Sequence, residues 1–173
     1  MKYALALKTV NSNMTAYEGF KWKKRGIVTA PDWNKKPECG GGLHALLWGV
    51  GDGRLLSWDN DAKWLVLAVP VNSWVDLGGK IKFPKCRVVF CGNRKDATDY
   101  IIKHGAEDKP VVGCYKTGGY HATLTGGYYA TLVWRIWENG IRRIHTVYVG
   151  ENGIKPNVKY RWNGKEAEEV KYP

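Results

Sequence analysis

Residues 117–124 read TGGYHATL and residues 125–132 read TGGYYATL, two consecutive octads that differ only in exchanging His121 for Tyr129. Self-similarity at a fixed period means one backbone unit laid down twice. Side chains alternate along a strand, which places Tyr120, Ala122 and Leu124 on one face and Thr117, His121 and Thr123 on the other. The pairs Gly118-Gly119 and Gly126-Gly127 supply backbone freedom where the chain turns. Each octad therefore reads as a turn plus a short strand, stacked in solenoid fashion. A plain hairpin, YHATL-TGG-YYATL, is the competing arrangement. Two units are too few to stand alone, since stacked repeats need about three, and the stack must lean on its neighbours.

The neighbour on the C-terminal side is LVWRIWENGIRRIHTVYVG, two strands around Glu138-Asn139-Gly140. Asn-Gly between apolar runs is the strongest short-range hairpin signal. Further Asn-Gly pairs at 152–153 and 163–164 predict a hairpin meander that closes the stack. Upstream, YALALKTV at 3–10 reads as an opening strand, KWLVLAVPV at 63–71 as the main core strand and CRVVFCG at 86–92 as another. YEGFKW and GIVTA suggest a strand pair joined through KKRG, and SWVDLGGKIKF a turn into a lysine-bearing edge strand. LHALLWG is short for a helix. RKDATDYIIKHGA at 94–106 is the best helix, with Asp96 placed to cap it. The prediction is a mainly β, α+β chain. Residues 1–108 form a mixed or antiparallel β module with one helix, and residues 109–173 a short solenoid-like β-repeat with a hairpin meander.

Nine Trp and ten Tyr in 173 residues favour strands over helices. No apolar run reaches the roughly 18 residues of a membrane span. MKYALALKTV is too short in its apolar part for a signal peptide, so a cytoplasmic setting without membrane contact is expected. Cys39, Cys86, Cys91 and Cys114 read as free thiols. Cys39 with His44, and Cys86 with Cys91, have ligand-like spacing, but an extended RVVF separates the second pair by roughly 16 Å, too far for one ion. Neither a metal nor another cofactor is expected.

The net charge of +11 sits in clusters. Lys21, Lys23, Lys24 and Arg25 form one, Lys80, Lys82, Lys85 and Arg87 a second, and Arg142 with Arg143 a third. Asn34 to Lys36 and Asn93 to Lys95 add smaller ones. Trp22, Phe83, Trp134 and Trp137 lie among them. Basic rows with interleaved rings suit nucleic acid or an acidic partner surface. Alternating Lys with Trp is equally what one wet and one dry sheet face require. His121, outward on its octad, is a further contact candidate.

MTAYEGFKW, APDW and PECGGGLHALLWG together resemble a family of uncharacterised phage and bacterial proteins. In that family a Cys-x-x-Gly-hydrophobic-His module precedes strings of Gly/Thr/Ala-rich octads, and VYVGENGIKPNVKYRW resembles its closing segment. The resemblance covers most of the chain and implies a phage-type accessory role in the host cytoplasm. The expected function is non-catalytic, possible anti-defence or anti-CRISPR-like binding of nucleic acid, a host protein or a nucleoprotein complex.

Two alternatives remain open. The order LHAL, KWLVLAVPV, VVFCG is similar to ADP-ribosyltransferase-type folds, which implies an enzyme or nucleotide binder centred on His44. No Glu falls on a late core strand for the acidic role, with Glu107, Glu138 and Glu151 read as turn residues. Cys39 with His44 lacks a third group to orient the imidazole. Asp59, Asp61 and Lys63 look as much like an Asx turn as a nuclease site, and GVGDG at 49–53 lacks the Lys-Ser/Thr of a phosphate loop. The second alternative is a structural oligomer.

Overall fold

The computed structural model describes residues 2–171. In chain order the elements are β1 (Tyr3–Val10), β2 (Gly26–Thr29), β3 (Leu43–Leu47), β4 (Lys63–Pro70), β5 (Val75–Asp76), β6 (Ile81–Phe83), β7 (Lys85–Gly92) and α1 (Arg94–Ile101). They continue with β8 (Tyr115–Gly118), β9 (Thr123–Thr125), β10 (Thr131–Glu138), β11 (Ile141–Tyr148), β12 (Lys159–Trp162) and β13 (Ala167–Glu169). The first seven strands form one antiparallel sheet in the order β2-β7-β4-β1-β3-β6-β5. β1 is the middle strand of the seven and pairs with β4 from Tyr3↔Pro70 to Val10↔Lys63.

The near-continuous apolar run of β4 follows from burial on both faces. Trp64 and Val66 join the apolar cluster beneath α1, while Leu65, Leu67 and Val69 join a second cluster on the opposite face with Trp22, Phe83 and Val88. LHALL becomes a strand because β1 and β6 flank it. α1 is capped by Asn93, whose side chain accepts from the Asp96 N–H at 2.9 Å, so the cap lies three residues before the predicted one. Below Ile101 the helix widens into a π turn, Ile102–Ala106.

Two expectations fail here. YEGFKW contributes a single turn and one bridge, Thr15↔Lys21, and β2 pairs with β7 instead. The Asn-Gly turns at 139–140 and 163–164 close hairpins β10–β11 and β12–β13, but these hairpins lie in different sheets, so there is no continuous meander.

The octads build a coil. β10 runs parallel to β8 in the register Thr131↔Tyr115 to Trp134↔Gly118, each partner two octads back along the chain. β9, half a coil on, lies in the other small sheet, β13-β12-β9, and pairs antiparallel with β12. Two octads are thus one complete solenoid turn, and they do not pair with each other. The same apolar cluster that runs beneath α1 continues through Val111, Cys114, Leu124, Ala130, Leu132 and Trp134 to Trp162.

Candidate functional site

Ala122, Leu124, Ala130 and Leu132 fill the interior of the coil. A Cβ on Gly118 would collide with the Cβ of Ala122, and one on Gly126 with the Cβ of Ala130. These glycines are therefore required by close approach inside a narrow coil. None of the four octad glycines has a positive φ, which corrects the expectation of turn freedom. Positive φ falls on Tyr129 (φ 60), the position where the octads differ, and its ring packs on Trp58 at 4.5 Å. Tyr120 and Tyr128 are exposed in turns, so Tyr120 does not share the inward face of Ala122 and Leu124. Thr123 and Thr125 flank the inward Leu124 on β9 and point outward.

The coil is closed after one turn. Trp134 stands beside Gly118 in the register, fully buried, and its indole N–H donates to the Ala122 carbonyl at 2.9 Å. Trp162 of β12 packs against it at 6.2 Å between ring centroids. An indole where the repeat has no side chain blocks the interior that a further coil would need.

A second feature lies at the β3 end of the large sheet. Lys8, Cys39, His44 and Lys80, with Leu46, Leu55 and Leu56, line a cavity of about 410 Å³. Lys80 Nζ donates to Cys39 Sγ at 3.0 Å. This hydrogen bond holds the exposed thiol below its ordinary range. Burial, reinforced by Lys80, Lys8 and Lys82, depresses His44 to about 4, so its ring is neutral at pH 7, and its Nε2 is buried without a partner. Burial and the Lys80 charge likewise lower the Lys8 ammonium. Lys82, opposite His44 in the register, is fully buried, and its Nζ donates to Asn34 Oδ1 and the Gly40 carbonyl, each at 3.1 Å. The lysine expected on a wet edge strand is thus an interior one. Among the described residues no cluster of metal-ligating side chains exists.

The candidate contact residues do not converge. Lys85 and Arg87 are exposed on β7 near one sheet edge, with Arg25 just before β2, whereas Lys80 and Lys82 belong to the opposite end, with β4, β1 and β3 between. Lys21, Lys23 and Lys24 are exposed in a loop rather than ranked along a strand. Arg142 and Arg143 are exposed on β11, in another sheet. Trp22, Phe83 and Trp134 are core residues; Trp137 alone of the proposed rings is largely exposed, at 73%. His121 is exposed and meets Tyr120 edge-on. Lys8 was not singled out in the sequence, although a lysine interrupting the apolar run YALAL was the available signal.

A family model described as a domain of unknown function (DUF7666) matches residues 4–103. The chain belongs to that family. The match spans β1 to α1, so the lysine-lined cavity lies within the DUF7666 domain and the octads lie outside it. The chain is also 40% identical over 111 residues to an ice nucleation protein of Xanthomonas campestris pv. translucens, covering 63% of this chain and 7% of the relative. An ice nucleation protein of Pseudomonas syringae is 36% identical over 106 residues, 60% of this chain and 9% of the relative. The ice nucleation protein InaU of Pantoea ananas is 33% identical over 105 residues, 60% of this chain and 10% of the relative. The chain thus spans about a tenth or less of the length of these curated relatives. No solved structure matches it.

These relatives overturn the phage accessory resemblance and, with it, the expected anti-defence binding of nucleic acid or a host nucleoprotein complex. The separation of the basic clusters removes the physical basis of that expectation. The ADP-ribosyltransferase-like, nucleotide-binding and structural-oligomer alternatives gain no support from relatives named for ice nucleation.

Proposed function

We propose that the chain is a module of the ice nucleation kind, whose octad coil orders water on its outward threonine face and whose hairpins terminate that coil. The observation that carries the reading is the register of β10 on β8, which makes two octads one solenoid turn. On β9, Thr123 and Thr125 stand roughly 6.8 Å apart as alternate strand residues, and a further coil would repeat them at about 4.8 Å. Hydroxyl and methyl groups held at such regular spacings fix neighbouring waters in positions, which is what a freezing nucleus needs. One coil offers one such pair, so its effect on freezing is small and grows with the number of coils.

The test is droplet freezing of purified protein. Tandem insertion of one, two or four copies of residues 117–132 after Leu132 keeps the register, and each copy is expected to raise the median freezing temperature. Thr→Val replacement throughout the inserted copies at the positions of Thr123 and Thr125 is expected to abolish the gain while far-UV circular dichroism is unchanged. Freezing that is independent of copy number overturns the reading.

A further inference from the structure

The large sheet holds unbalanced positive charge around a cavity with an oily wall. Lys8 and Lys80 line it, Lys82 lies just behind, and no carboxylate is among its lining residues. Glu18 and Asp32 line the adjoining cavity, which shares Lys8, Gly40 and His44 with this one; Asp32 partly offsets the lysines' effect on His44, and neither carboxylate is within ion-pair distance of Lys8, Lys80 or Lys82. Removing ammonium groups from water is costly unless an opposite charge offsets it. Lys82 meets two neutral oxygens and, at 5.9 Å, the Trp33 ring rather than a carboxylate, and burial depresses the Lys8 ammonium. The buried His44 Nε2 has no partner either; in the tautomer that carries its proton there, it is a spare donor. Leu46, Leu55 and Leu56 supply the apolar wall, and the volume falls in the range of small-molecule sites, roughly 300–1,000 Å³.

We propose that this cavity is a binding site for a small organic acid, its carboxylate seated between Lys8 and Lys80 within reach of His44 and its apolar body against the three leucines. The apolar wall distinguishes such a ligand from an inorganic anion, which would leave the leucines wet. The two lysines distinguish it from a neutral oil. Cys39 stands at the mouth, hydrogen-bonded to Lys80. A carboxylate that engages Lys80 weakens the support of the thiolate and covers the sulfur, so ligand binding is read directly as slower thiol alkylation. The site lies in the DUF7666 domain and does not depend on what the octad coil does.

The experiment measures the alkylation rate of Cys39 by iodoacetamide at pH 7 in a Cys91→Ser background. Cys86 and Cys114 are buried and their thiols are pushed up to about 12 and about 11, so they stay silent. Octanoate is expected to slow the reaction saturably, about fivefold or more given the thiolate dependence of the rate. Lys8→Met, a substitution of similar length, is expected to abolish the protection. Leu55→Asp tests the wall at an exposed position where folding is not at stake, and is expected to abolish it as well. Three results overturn the proposal: no protection by octanoate, equal protection by octanol, or equal protection by sodium sulfate at matched ionic strength.

Discussion

Gly118 and Gly119 are neighbours in one sequence pair, yet the coil treats them oppositely, and Gly118→Ala against Gly119→Ala measures the difference. A methyl at 118 has to overlap the Ala122 Cβ, which is fixed to the backbone and has no rotamer to escape into, and it also approaches Leu124 Cδ2 at 3.2 Å. At 119 the methyl meets nothing within 4 Å, and φ is not positive. Overpacking of a closed core costs about 1–3 kcal/mol, and the rigidity of the obstacle puts Gly118→Ala at about 3 kcal/mol. For a chain of this size that is a Tm lowered by roughly 6–12 °C, at 2–4 °C per kcal/mol. Gly119→Ala is expected to be neutral, or stabilising by up to about 1 kcal/mol through the unfolded chain. Urea titration and thermal melts of both variants provide the comparison. Gly118→Ala combined with Ala122→Gly removes the obstacle and is expected to recover most of the loss, short of the roughly 0.5–1 kcal/mol that an added glycine costs. A Gly118→Ala protein as stable as its parent, or a Gly119→Ala protein equally damaged, refutes the close-packed coil.

Trp134→Ala is expected to cost about 3–5 kcal/mol, the usual range for a buried Trp, whereas Trp137→Ala, three residues on and largely exposed, changes stability by less than about 0.5 kcal/mol; denaturant midpoints separate them. Because His44 titrates near 4 in the folded chain and near 6.5 unfolded, the unfolded state binds the extra proton as pH falls. Its stability penalty is absent above pH 6.5, grows through the window 6.5 to 4 and is complete below 4. Discounted for its partial exposure, this is about 2 kcal/mol, and His44→Leu is expected to flatten that part of the profile of urea midpoint against pH. Lys82→Met leaves the Gly40 carbonyl without a donor and Asn34 Oδ1 with the Lys36 N–H alone. It is expected to cost about 1–3 kcal/mol, read by the same titration.

The parts of the fold that were legible are those where one short stretch carries its own instruction. KWLVLAVP announces a doubly buried strand by having no wet side, and Asn139-Gly140 and Asn163-Gly164 announce their hairpins by turn chemistry alone. The octads were legible as a repeat, but not as half-coils. Nothing within eight residues says that the partner of Thr131 is Tyr115 rather than Thr123, and the glycines look the same whether they serve a turn or a tight interior. The site was less legible still. Lys80 and His44 meet Lys8 only because β3 lies between β1 and β6, and the basic clusters part company because β2 and β6 end up near opposite edges. Strand order is a property of the whole chain, and charge counted along a sequence carries no information about it.

The end of the coil is marked by the identity of one residue, an indole standing where the repeat has no side chain. A stop written in this way is independent of how many turns precede it. Gene duplication in units of sixteen codons upstream of Trp134 would lengthen the stack and leave its terminus untouched, while a single base change in that codon would leave the terminus without its plug. Length and closure are then separately heritable, so a lineage carrying this module could vary the first freely while selection guards the second.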